Sequence, residues 1–232
     1  MRNLLIVSAG LLLFSACSHR TGSGNIVTEK RTTSSFTGVN AAGGFEIEIK
    51  NGPAEEVTIE ADDNIIKYIK TNVEDGQLKI RLKINNVNEA HLKVFITAPE
   101  INKINTSAAA VLTVKDGLKS AGEINLQASS GSKITAAVDA PSVVANASSA
   151  GDIIINGRTK TFTAESSSGS SIKAFQLLSE NTVATASSGA STNVHASVSL
   201  NANASSGGNV KYKGVTNAKI NQSSGGSVSK ED

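Results

Sequence analysis

Two hydrophobic patterns divide the chain. From Ile26 to Ala98, apolar and polar residues alternate in short runs broken by turn residues. Phe45, Ile47 and Ile49 alternate with Glu46, Glu48 and Lys50, so one face of an extended strand is apolar and the other charged. Asn51-Gly52 follows, a strong short hairpin signal, before Val57 and Ile59 resume the alternation. A second pair of runs flanks Asp75-Gly76, with Ile69 and Val73 before it and Leu78, Ile80, Leu82 and Ile84 after it. Leu92, Val94 and Ile96 form another strand, ended by Pro99. The pattern predicts antiparallel hairpins. The one candidate helix is Asp62 to Ile69, with Ile65, Ile66 and Ile69 on one side.

The second half carries an internal repeat. Its marker, Ser-Ser-Gly or Ser-Ser-Ala, begins at Ser129, Ser148, Ser167, Ser187, Ser205 and Ser223, at steps of 19, 19, 20, 18 and 18 residues. Thr106-Ser107-Ala108 reads as a degenerate earlier copy. Apolar or small residues stand three before the first serine (Leu126, Ala145, Ala164, Ala184, Ala202), and Ala128, Ala147, Ala186 and Ala204 stand immediately before it. Three residues beyond the marker come Ile134, Ile153, Ile172, Thr192, Val210 and Val228; two further on come Ala136, Ile155, Ala174, Val194 and Tyr212. Their neighbours are mostly polar. A strand this short cannot bury its apolar side alone. Coiling the repeats stacks like positions about 4.8 Å apart, and each coil then pairs its backbone with the coils above and below. Alanines suit a narrow interior, and Gly in the marker permits the positive φ of a sharp turn. Stacked serine hydroxyls could then bond to one another or to turn backbone.

The first residues read as targeting. Arg2 precedes the apolar run Leu4 to Phe14, whose eleven residues would span about 16 Å as a helix, well short of a bilayer core of about 30 Å. The run ends in Leu13-Phe14-Ser15-Ala16-Cys17, similar to a bacterial lipobox, and Cys17 is the only cysteine in the chain. We therefore expect a signal peptide over 1–16 and a lipidated Cys17, giving a membrane anchor, followed by a flexible polar tether through residue 25. A head of β-hairpins would occupy 26–118, and a repeat solenoid continuous with it 119–232.

Composition narrows the chemistry. The net charge of +2 leaves no basic footprint for nucleic acid, and aromatics at 3% with no Trp supply no base-stacking platform. Catalysis on a solenoid needs carboxylates converging on adjacent coils. Glu123, Asp139, Asp152, Glu165 and Glu180 sit in different phases of the repeat. His91 and His195 lack partner spacing for a triad or metal, and no phosphate loop is present. No cofactor is expected.

The segment Gly22 to Asn25, then Arg31, Phe36, the strand Phe45 to Ile49 and the run Asp62 to Ile80 resemble the head of the family known as "putative auto-transporter adhesin, head GIN domain". The Ser-Ser-Gly coils resemble its solenoid half. The resemblance implies an all-β fold: a right-handed, single-stranded parallel β-helix similar to pectin lyases but without their catalytic residues, with N-terminal β-hairpins. It also implies a role in adhesion. Its repeated turns map onto a candidate binding edge comprising Ser130, Gly131, Ser149, Ser168, Gly169, Ser188, Gly189, Ser206, Gly207, Ser224 and Gly225. The expected function is thus a non-catalytic cell-envelope lipoprotein of the outer membrane, facing the cell surface or the periplasm, that presents a rigid surface to a glycan or protein. A self-assembling periplasmic scaffold is the alternative, and a polysaccharide-acting enzyme stands behind both.

Overall fold

The computed structural model describes residues 20–214 and 217–232; the expected signal peptide and Cys17 lie outside them. The repeats coil as their spacing requires. Lys133–Ala147, Asp152–Ser166, Ser171–Ala186 and Ser191–Ala204 are bent strands that pair in parallel. The residue ahead of each marker stacks on its counterpart one coil away, Ala128 on Ala147, Ser166, Ala186 and Ala204 in turn. Each coil therefore closes on itself. Inward positions Ile134, Ala136, Val138 and Ala140 alternate along the first run of a coil, and Val143, Ala145 and Ala147 along the second. The slip in that alternation between Ala140 and Val143 marks the bend from one sheet to the other. The structure is a parallel β-solenoid.

The interior tapers toward the turns. Beside them the buried residues are small, alanines with Ser132, Ser166 and Ser170, whereas deeper in the coil the filling includes Ile124, Val143, Phe162 and Leu200. Small residues beside the turns and larger ones farther in let neighbouring coils keep one strand spacing without voids. Polar pairs enter this core: Ser166 and Thr192, both buried, hydrogen-bond to each other at 2.6 Å, as do Thr106 and Ser132 at 2.9 Å and Ser179 and Thr182 at 2.5 Å. Variation in repeat length is absorbed at the bend. The coil behind the 20-residue step loses register between Ala174 and Leu178 and again between Ser179 and Asn181, leaving Leu178 and Val198 more than half exposed. The turn column stays in register throughout.

The solenoid begins earlier than its clearest repeats. Gly38–Ala42 pairs in parallel with Lys103–Ser107, and Glu46–Asn51 with Val111–Val114, so two strands of the expected hairpin head are already coil strands. The degenerate marker is displaced by one residue: Thr106 stacks on Ala128, which places Ser107-Ala108-Ala109 over Ser129-Ser130-Gly131.

A mixed cap closes the N-terminal end. The hairpin about Asp75-Gly76 forms, Ile69–Glu74 lying antiparallel to Gln77–Leu82. The expected hairpin at Asn51-Gly52 does not. Leu92–Ala98 inserts between its two arms, parallel to Glu46–Asn51 and antiparallel to Glu56–Asp62, and Ile26–Arg31 completes the edge. Switching from parallel to antiparallel pairing ends the stack, as terminal repeats must. The candidate helix reduces to a 3-10 turn, Ile66–Tyr68. The expected tether is also held from Arg20 onward: Arg20–Thr21 pairs with Val87–Asn88, the Gly24 N–H donates to Asp62 at 2.6 Å, and Ser23 and Asn25 donate to Asp63 at 2.6 and 2.8 Å. Asp62, buried, also accepts from the His91 N–H at 2.7 Å, which ties three cap segments together.

Candidate binding edge and groove

Each marker is a four-residue turn closed by its own backbone. The N–H following the third marker residue donates to the first serine's carbonyl, over 3.1 Å at Ser129, 2.9 Å at Ser148, 3.3 Å at Ser167, 3.0 Å at Ser187, and 2.8 Å at Ser205 and Ser223. Both central residues have positive φ: 48–53° at the second serine and 62–76° at the Gly or Ala after it. Two successive left-handed residues define the type I′ turn, which bends with the strand twist. The requirement for positive φ thus falls on Ser130, Ser149, Ser168, Ser188, Ser206 and Ser224 as well as on the glycines. A serine held there costs about 1 kcal/mol. A ladder between turns holds it: the N–H groups of Gly131, Ala150, Gly169, Gly189 and Gly207 donate to the second-serine carbonyl of the next turn at 3.0–3.2 Å.

The side chains are left free. The second serines and the glycines after them form the exposed crest, while the first serines from Ser129 to Ser205 are half-buried along its flank. The hydroxyls engaged at this edge belong to Ser132 and Ser170, both buried. Each accepts from a first-serine N–H at 3.0 Å and donates to a carbonyl one coil back, Thr106 at 2.9 Å and Ala147 at 2.8 Å. Among the described residues no marker hydroxyl is hydrogen-bonded within the protein, so the stacked serines bond neither to one another nor to turn backbone, and the ladder between turns is made by backbone groups.

Beside the crest runs a shallow groove of about 440 Å³. One wall is the first-serine column, Ser129, Ser148, Ser167 and Ser187; the other is an outward column two residues earlier, Gln127, Asn146, Glu165 and Thr185. The concavity therefore lies one residue off the expected edge, whose second serines and glycines form its rim. Sequence reasoning missed the outer column, although position two before each marker would have exposed it as recurrently polar. A larger hollow of about 520 Å³ lies at the capped end, between Gly43-Gly44 and the loop 84–90, with Arg81 on its wall.

The acidic residues of the repeats lie on more than one surface. Asp152 lies between Lys173 at 3.0 Å and Lys133 at 3.9 Å, and Glu123 accepts from Ser142 at 3.2 Å. Asp139 and Glu180 share a hollow of about 380 Å³ at the bend, closer together than their phases suggested. There the Arg158 guanidinium grips Asp139 through two bonds, 3.1 and 2.7 Å, and holds its carboxyl below the usual range. A carboxylate so stabilised does not carry a proton near neutral pH. Far from the groove, the Lys93 ammonium likewise lowers Glu48. Glu165 is the one carboxylate lining the groove, and among the described residues it forms no ion pair.

These features define a class: a capped parallel β-solenoid with a rigid column of free serine hydroxyls along one edge. The chain belongs to the family described as "Putative auto-transporter adhesin, head GIN domain", whose model matches residues 35–229. Solved structures share the fold. A protein described as a putative adhesin from Bacteroides fragilis superposes with a TM-score of 0.83 at 19% identity, covering 90% of this chain and 98% of that one. A putative adhesin from Parabacteroides merdae gives 0.74 at 18%, covering 92% and 99%. A protein from Parabacteroides distasonis described as a putative lipid binding protein gives 0.73 at 20%, covering 93% and 100%. At these identities the likeness is one of fold. No curated protein matched the chain.

Proposed function

We propose that this chain is a non-catalytic lipoprotein of the bacterial outer membrane, anchored through Cys17, whose groove binds a glycan in an adhesive role. The observation that carries the reading is the set of unengaged hydroxyls on Ser129, Ser148, Ser167 and Ser187, fixed by backbone opposite Gln127, Asn146, Glu165 and Thr185. Donors and acceptors recurring about every 4.8 Å suit a polymer of hydroxyl-bearing units. A protein ligand would call for large apolar or aromatic anchors, and the groove offers none. Because the turns are already ordered, little conformational freedom is lost on binding. The adhesive role draws on the family description and on the neighbours described as adhesins.

The test is a glycan array probed with the full chain and with Ser148→Ala/Ser167→Ala/Ser187→Ala. Each hydroxyl contact contributes about 1 kcal/mol, so the triple variant binds at least about tenfold more weakly while its circular dichroism is unchanged. Ser149→Ala/Ser168→Ala/Ser188→Ala, on the crest, has a smaller effect. A folded groove variant with undiminished binding, or no glycan bound by the parent, refutes the reading.

A further inference from the structure

We infer that the capped end carries a docking face for anionic lipid headgroups, which seats the solenoid on its own membrane; the inference rests on the reading of Cys17 as the lipid anchor. Five exposed cations lie on or near the Ile69–Glu74/Gln77–Leu82 hairpin: Lys70 and Arg81 on its strands, Lys83 just past its end, Lys67 in the 3-10 turn before it, and Arg20 over Tyr68. Lys70 stands directly opposite Arg81 across the antiparallel pair, an arrangement of like charges that destabilises a sheet unless something outside compensates it. Lys83, two residues beyond Arg81, points the same way and donates its N–H to the Tyr68 carbonyl at 3.0 Å. Over the Tyr68 ring lie the Arg20 guanidinium at 4.8 Å and the Lys67 ammonium at 5.4 Å. Among the described residues none of the five forms an ion pair. The neighbouring carboxylates are shared with other partners: Asp63, which feels the Lys67 charge, accepts from Ser23 and Asn25; Glu74, which feels the Arg81 charge, accepts from Lys79 and Asn72; and Glu89 lines the same hollow as Arg81.

The second observation is where the chain leaves. Arg20 is held by its pairing with Val87 and its stacking on Tyr68. Only three peptide steps separate it from Cys17, a reach of about 10 Å. Acyl chains on Cys17 would therefore hold this face within roughly a Debye length of the headgroups, where Lys and Arg gain most from anionic lipid. Arg81 stacks on Ala42 and Ala42 on Ser107, so this face continues the outward sheet face that carries the groove.

The experiment uses the full lipidated chain in vesicles of phosphatidylcholine alone or mixed with phosphatidylglycerol, with lysine acetylation followed by mass spectrometry. Lys67, Lys70 and Lys83 should be acetylated several-fold more slowly on the anionic vesicles than on the neutral ones, and high salt should abolish the difference, while Lys160 and Lys219 react equally in all cases. Partitioning of Cys17→Ala onto anionic vesicles should fall about five-fold for each cation neutralised, and so roughly a hundredfold in Lys70→Gln/Arg81→Gln/Lys83→Gln. Equal acetylation on the two vesicle types, or protection by dextran sulfate but not by vesicles, overturns the inference. Failure of the parent chain to sediment with neutral vesicles would instead refute the anchor reading. The Cys17→Ala partitioning then decides the face by itself.

Discussion

Adjacent glycines in one turn should respond differently to the same added methyl group. Gly207 has φ +73°, and a Cβ built there meets nothing within 4 Å. Its cost is conformational alone, about 1–2 kcal/mol for a left-handed alanine, offset by about 0.4–1 kcal/mol of reduced freedom in the unfolded chain. Ala150 already occupies the equivalent place at φ 62°. Gly208→Ala meets a different obstacle: its Cβ would lie 2.3 Å from the Ala186 carbonyl oxygen on the preceding coil. The turns show how such a contact relaxes. Where this position is glycine the closing hydrogen bond is 2.8–2.9 Å; where it is Ser132, Ser170 or Ala190 the bond lengthens to 3.0–3.3 Å. Gly208→Ala should therefore loosen its turn rather than unfold it, at about 1–3 kcal/mol, whereas Gly207→Ala should cost about 0–1.6 kcal/mol. Urea unfolding followed by circular dichroism, with hydrogen exchange at the Ser205 turn, measures both. A penalty for Gly207→Ala equal to or above that for Gly208→Ala would show that steric approach between coils does not select glycine here.

Three further outcomes follow from the geometry. Phe162→Ala removes one of the largest fully buried side chains and should destabilise by about 3–5 kcal/mol in the same urea assay; under about 1 kcal/mol would mean that the wide end of the coil is loosely packed. Arg158→Gln should lower the urea midpoint slightly at neutral pH and by progressively less as pH falls through the carboxylate range. Asp139 has a depressed folded-state pKa, so the pair's contribution is present above the unfolded value of 3.8 and lost as the folded carboxylate protonates; a pH-independent difference contradicts this. Protease shaving of intact cells should remove the solenoid if the adhesive role is played at the cell surface; full protection would assign the protein to the periplasmic face.

The coils were legible because each is made by residues close in sequence. A period of 18 to 20 residues, alternation on both sides of the marker and small residues beside it are all local signals, and stacking is the only arrangement that buries them together. The cap was not legible for the opposite reason. Asn51-Gly52 is a local hairpin signal, but Leu92–Ala98, some forty residues on, offers its neighbours both a parallel and an antiparallel edge and takes the place between the two arms. No pattern within Glu46–Asp62 announces that competitor. The same distinction governs the candidate site. The marker located the edge, yet burial and backbone geometry made the second serines a strained crest and gave the groove wall to the first.

By itself, then, the sequence determined the repeat, the inward residues and the family, since a strand with one apolar side and a fixed period has few ways to hide that side. Tertiary structure alone decided which hydroxyls remain free, which outward side chains meet across coils and which cations gather around Tyr68. Those relations join residues a coil or more apart, and they arise only after backbone pairing has fixed the register.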